Sequence, residues 1–141
     1  MKSLITGIAL LFTMAGYSQT SFVVHFDFNK YNITKAARSE LDSFLRLEKE
    51  NIIRFKINLS GYCDAIGSDK YNNILSKRRV AAVKNYFLRN GIQPGNIGQE
   101  IGHGKNQPLN ENKTDEERQL NRRVEINFTK TAVTTLSPGT S

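Results

Sequence analysis

The chain has 141 residues, with 20 lysines and arginines against 13 aspartates and glutamates and a formal net charge of +7. That length suits one domain, and the single cysteine, Cys63, excludes an internal disulfide. The basic excess suits an anionic partner. Nucleic acid is the least fitting of these, because the basic residues are scattered over solvent faces and no nucleic-acid motif is present.

Residues 1–18 read as a secretory signal peptide. Lys2 supplies the positive start, Leu4 to Phe12 form an apolar run broken only by Thr6 and Gly7, and the small residues Ala15, Gly16 and Ser18 predict cleavage before Gln19. The run falls short of the roughly 20 apolar residues that a membrane span needs. No cysteine stands near the junction, so no lipid anchor is expected. The mature chain is expected to be exported and soluble, with the charge reduced to +6 by the loss of Lys2.

The next elements follow from hydrophobic period. Phe22, Val24, Phe26 and Phe28 alternate with Val23, His25 and Asp27, and Ile53, Phe55, Ile57 and Leu59 alternate with Arg54, Lys56 and Asn58, so both runs predict strands buried on one face. Between them Thr34 caps a helix whose Ala37, Leu41, Phe44 and Leu45 share a side. A second helix is predicted from Ser68 to Asn90, stopping at Gly91 in a left-handed cap. A weaker strand at Ile97 to Gly102, a short helix at Asp115 to Leu120 and a last strand through Val124, Ile126 and Phe128 complete the series. The fold class is α+β: a strand-helix-strand-helix-strand-helix-strand sandwich with helices on one face of a mixed four-stranded sheet. Residues 130–141, rich in Thr, Ser, Gly and Pro, read as a disordered tail after a domain spanning 19–129.

Within the second helix, Leu75, Ala82, Val83, Tyr86 and Phe87 fall in one stripe under about 100° wide. Arg79 lies inside that stripe and Asn72 on the same side, whereas Lys77, Arg78, Ala81, Lys84 and Asn85 point away. A buried guanidinium must be answered by a carboxylate, either internal, for which Asp64 is nearest in sequence, or on a ligand. Ion-pair networks and binding sites look alike at this level, so the pattern alone leaves both readings open.

Catalysis finds little support. His25 and His103 lack Cys, Asp or Glu at ligand spacing, so neither a metal nor a cofactor is expected. The Gly102-His103-Gly104-Lys105 run lacks the spacing and the following Ser or Thr of a phosphate loop and reads as a tight turn. Cys63 has no oriented base, and the default for such a thiol is a small buried side chain.

The segment Gly61 to Arg79, taken with Ile101 to Ile126, resembles the OmpA-like peptidoglycan-binding domain, the module also found in peptidoglycan-associated lipoproteins and flagellar stator proteins. The matched residues are Gly61 and Asp64 in a Gly-x-x-Asp turn, Tyr71-Asn72, then Leu75, Ser76 and Arg79, Gly102 and Gly104 leading to Pro108, and Asn121 to Val124. The resemblance runs from about Phe22 to Phe128 and does not extend to the alternating strands of an outer-membrane barrel. It implies a non-catalytic module of the periplasm or cell wall in which Asp64 and Arg79 clamp the free amino-acid end of meso-diaminopimelate in a stem peptide. A guanidinium can fork onto an α-carboxylate while a carboxylate accepts from the adjacent ammonium. Asn72 is implied as a further hydrogen-bonding group, with Arg122 and Asn121 matching the pattern and partly fixing the last strand. Tyr62 and Cys63 depart from the usual His and Thr beside the clamp and are expected to alter affinity or preference. The other reading of the same fold is an envelope protein-interaction domain with a structural Asp64–Arg79 pair.

Overall fold

The computed structural model describes residues 21–129, so the predicted signal peptide and the predicted tail lie outside the described residues. Strand β1 (Phe22–His25) leads to helix α1 (Lys35–Leu47), a single-turn helix α2 (Lys49–Arg54) and strand β2 (Lys56–Tyr62). Helix α3 (Asp69–Arg89), strand β3 (Ile97–Gly102), helix α4 (Asp115–Asn121) and strand β4 (Arg123–Thr129) follow. The sheet order is β1-β4-β2-β3, with β4 antiparallel to both neighbours and β2 parallel to β3. This is the expected mixed sheet, with four helices where three were expected. Among the described residues no helix is long and apolar enough to cross a membrane.

Alternation supplies the core. Val24, Ile57, Leu59, Val124 and Ile126 are all at most 1 % exposed and meet Leu41, Phe44, Val83 and Phe87 from α1 and α3. Both long helices start as the sequence predicts: Thr34 Oγ1 accepts from the Ala37 amide and Ser68 Oγ from the Tyr71 amide. Gly91 takes the left-handed conformation, φ +95°, that ends α3.

Two element boundaries differ from expectation. The strand predicted from Ile53 begins only at Lys56, because residues 49–54 make one further helical turn that leaves Ile53 on the surface and Ile52 against the core. Four alternating apolar residues after a helix end fit either state, and the Phe55 amide, bonded to the Asn51 carbonyl, closes the turn. Strand β1 likewise ends at His25; Phe26 stays buried after leaving the sheet, while Phe28 is exposed.

Helix α3 sits unusually close to β2 and β3, and glycines permit it. A Cβ on Gly61 would strike the Ser76 carbonyl oxygen and lie 2.8 Å from Val80 Cγ2; one on Gly102 would lie 2.8 Å from the Lys77 amide nitrogen. This approach buries Ser76 and Val80 beside the predicted stripe, of which Ala82 is only half-buried. Gly61→Ala is expected to cost about 1–3 kcal/mol, as overpacking against a backbone atom does. Urea unfolding measures the loss, and a midpoint equal to wild type would mean that α3 moves freely off the sheet.

Candidate functional site

Past the end of β2 the chain turns across the first two turns of α3 and encloses a cavity of about 280 Å³. Its polar wall consists of Asp64, Asn72 and Arg79, each at most 3 % exposed, together with Cys63. Phe28, Ile66 and Tyr71 form an apolar rim, each about half exposed. Asn29, at φ +58°, turns the 27–30 segment against the opening, in a conformation that Asn tolerates better than most residues.

Arg79 has no exposed surface, and its neighbours are not the ones expected. Nε donates to the Lys30 carbonyl at 2.9 Å, Nη1 to the Tyr62 carbonyl at 3.0 Å and to Cys63 Sγ at 3.5 Å, and Nη2 to the Asp27 carbonyl at 3.1 Å. Its carbon Cζ stands 5.3 Å from the centre of the Phe26 ring. Four of the five N–H donors are thus spent within the protein, leaving one on Nη2. A direct Asp64–Arg79 ion pair, and a two-bond fork from Arg79 to a ligand, are therefore both corrected: backbone carbonyls answer the charge. Burial lowers the Arg79 pKa, while the neighbouring Cys63 and Asp64 raise it.

Asp64 pairs with Arg122 instead. Oδ2 accepts from Arg122 Nη1 at 3.1 Å, and Oδ1 accepts from the Ile66 amide at 3.0 Å, which fixes the turn. Arg122 also donates to the Phe26 carbonyl at 3.1 Å and to Gln119, so it braces the acid from behind and lines an adjoining cleft with Phe28 and Ile66. Asn72 Nδ2 donates to the Ile66 carbonyl at 2.9 Å, which leaves its Oδ1 without a hydrogen-bond donor among the described residues. Asn121 holds the 109–112 loop: it accepts from the Leu109 amide and donates to Asn110 and Asn112, and it does not line the cavity.

Cys63 is part of this network. Its Sγ lies 3.4 Å from the Asn72 carbonyl, to which it donates, while it accepts from Arg79. Burial, opposed by the Arg79 charge and assisted by Asp64, pushes the thiol pKa up to about 11, so it is protonated at neutral pH. Tyr62 is a correction. Gly61 faces α3, so alternation turns the next ring to the opposite side of the sheet, where it stacks on His103 at 4.7 Å with Arg123 3.8 Å from its centre. Only its carbonyl serves the site.

A mixed sheet under helices, with an acid, an amide and a guanidinium gathered beyond the end of β2, defines an OmpA-like domain. Residues 25–122 match the model of the OmpA family, and the chain belongs to that family. It is 42 % identical over 105 residues to outer membrane protein A of Bordetella avium, covering 72 % of this chain and 51 % of that protein. It is 31 % identical over 103 residues to outer membrane porin F of Pseudomonas aeruginosa, covering 72 % and 29 % respectively. The chain therefore spans about half or less of the length of these relatives. In fold it is similar to the peptidoglycan-associated lipoprotein of Burkholderia pseudomallei, with a TM-score of 0.69 at 22 % identity, covering 76 % of this chain and 89 % of that one. The C-terminal domain of Helicobacter pylori MotB gives 0.65 at 23 %, with 77 % and 85 % covered.

Proposed function

We propose that the chain is a non-catalytic peptidoglycan-binding module of the cell envelope that holds the meso-diaminopimelate end of a stem peptide. The observation that carries the reading is that three complementary groups face one small cavity. The Asp64 carboxylate and the free Asn72 Oδ1 accept from an ammonium, and the Arg79 guanidinium in the wall behind them supplies the positive charge that favours a carboxylate beside it. A volume of about 280 Å³ lies just under the ligand-pocket range of roughly 300–1,000 Å³, so it takes an end group and not a whole muropeptide. Membership of an envelope family, with relatives named for the outer membrane and for peptidoglycan association, points the same way.

Titration calorimetry with a diaminopimelate stem peptide and its lysine counterpart tests the reading, because lysine lacks the second carboxylate. The lysine peptide and the Asp64→Asn variant are each expected to bind at least about tenfold more weakly, the value of one charge-assisted hydrogen bond. Folded Asp64→Asn protein that binds like wild type would end the proposal. Silence from wild type with both peptides would favour the envelope protein-interaction reading.

A further inference from the structure

The loop that supplies Phe28 and Asn29 to the cavity continues into Tyr31 and Asn32, which wall a second depression of about 660 Å³ between α1 and the outer flank of α3. Three guanidiniums line it: Arg38 from α1, and Arg78 and Arg89 from α3. None of them forms an ion pair among the described residues. Asp42, one turn beyond Arg38, is engaged by the Tyr86 hydroxyl and lines a different depression. Residues 1–20 and 130–141 contain no Asp or Glu, so those segments bring no acidic side chain to the groove. Arg78 lies 5.4 Å from the Tyr31 ring centre, a contact that restrains the head group before any ligand arrives.

The spacing selects the ligand. Eleven residues of helix separate Arg78 from Arg89, about 16 Å along the axis, close to the roughly 17 Å of a five-residue extended peptide. Forked guanidiniums match carboxylates, and the Asn32 and Asn85 amides on the same wall suit a peptide backbone. A recessed groove without lysine fits such a chain better than a flat anionic membrane. The polymer already assigned to the adjoining cavity is a peptide bearing carboxylates, and Arg78 and Arg79 are consecutive residues of one helix serving the two depressions.

We propose that this groove is a second wall contact, which takes the carboxylates of a neighbouring stem peptide while the cavity holds a diaminopimelate end. The inference rests on the wall-binding reading above and makes attachment to intact wall bivalent, tighter than attachment to one soluble peptide. The test compares wild type, Asp64→Asn and the triple variant Arg38→Ala/Arg78→Ala/Arg89→Ala. The triple variant is expected to fold, since exposed helical arginines become the best helix former, and thermal unfolding verifies this. It should bind the soluble diaminopimelate peptide within about twofold of wild type, yet sediment with purified sacculi about tenfold more weakly and with a flatter salt dependence. Triple-variant sedimentation equal to wild type overturns the groove, as does an equal loss with soluble peptide and sacculi, which would make the arginines part of the cavity site. Failure of the cavity reading looks different: wild type ignores the soluble peptide, or Asp64→Asn sediments normally. A triple-variant defect on sacculi persisting in that case would leave the groove as the wall contact.

Discussion

Arg79→Ala is expected to remove about 5 kcal/mol of stability, enough to unfold a domain whose total is of the order of 5–15 kcal/mol. The reason lies in what the guanidinium holds. It joins three carbonyls from two chain segments, Asp27 and Lys30 in the loop after β1 and Tyr62 at the end of β2, all from a position without solvent contact. Truncation orphans those carbonyls and opens a cavity the size of the side chain. Arg79→Lys should recover only part of the loss, since one ammonium cannot span three acceptors placed for a planar fork. Urea unfolding followed by far-UV circular dichroism gives the number, and an Arg79→Ala midpoint within 1 kcal/mol of wild type would show that the loop needs no such stitch. Loss of wall binding by Arg79→Ala would therefore say little about ligand contact, whereas Asp64→Asn keeps the shape of the turn and isolates the charge.

That Arg79 points inward was legible from helical period alone, and so were the caps at Thr34 and Ser68 and the stop at Gly91. Its partners were not. Backbone carbonyls leave no mark in the side-chain alphabet, and two of the three lie 49 and 52 residues away in a loop whose path depends on the finished core. Sequence proximity made Asp64 the nearest candidate for Arg79, but the arginine that Asp64 pairs with, Arg122, is 58 residues distant and arrives only when β4 has been placed between β1 and β2. Tyr62 was misplaced for a different reason. Its position in the key turn suggested a pocket wall, but strand alternation, already evident from Ile57 and Leu59, assigns it to the other face once Gly61 is seen to touch α3. The extra turn at Ile53 shows the limit of period reading, because a four-residue apolar alternation next to a helix end is decided by whether one more backbone bond closes.

Arg122→Met should cost roughly 3 kcal/mol, because it leaves the Asp64 carboxylate buried without its counter-charge. The pair is well shielded, with side chains 12 % and 4 % exposed, and Arg122 carries further bonds to Phe26 and Gln119. Asp64→Asn should cost less, since the amide still accepts from the Ile66 amide and the arginine retains its other acceptors. Combining the two removes both charges, so the double variant should be more stable than the summed losses predict, with a coupling energy of about 1–3 kcal/mol. Strict additivity would mean that solvent screens the pair and that Arg122 acts only through Phe26 and Gln119. The single variant Arg122→Met also bears on binding: with Arg122 gone, a ligand ammonium becomes the counter-charge that Asp64 lacks. A diaminopimelate peptide should then raise the unfolding temperature of Arg122→Met by more than that of wild type, if binding to the native state is strengthened by the vacancy. An equal or smaller shift would assign Arg122 to orienting the carboxylate, which a ligand cannot replace.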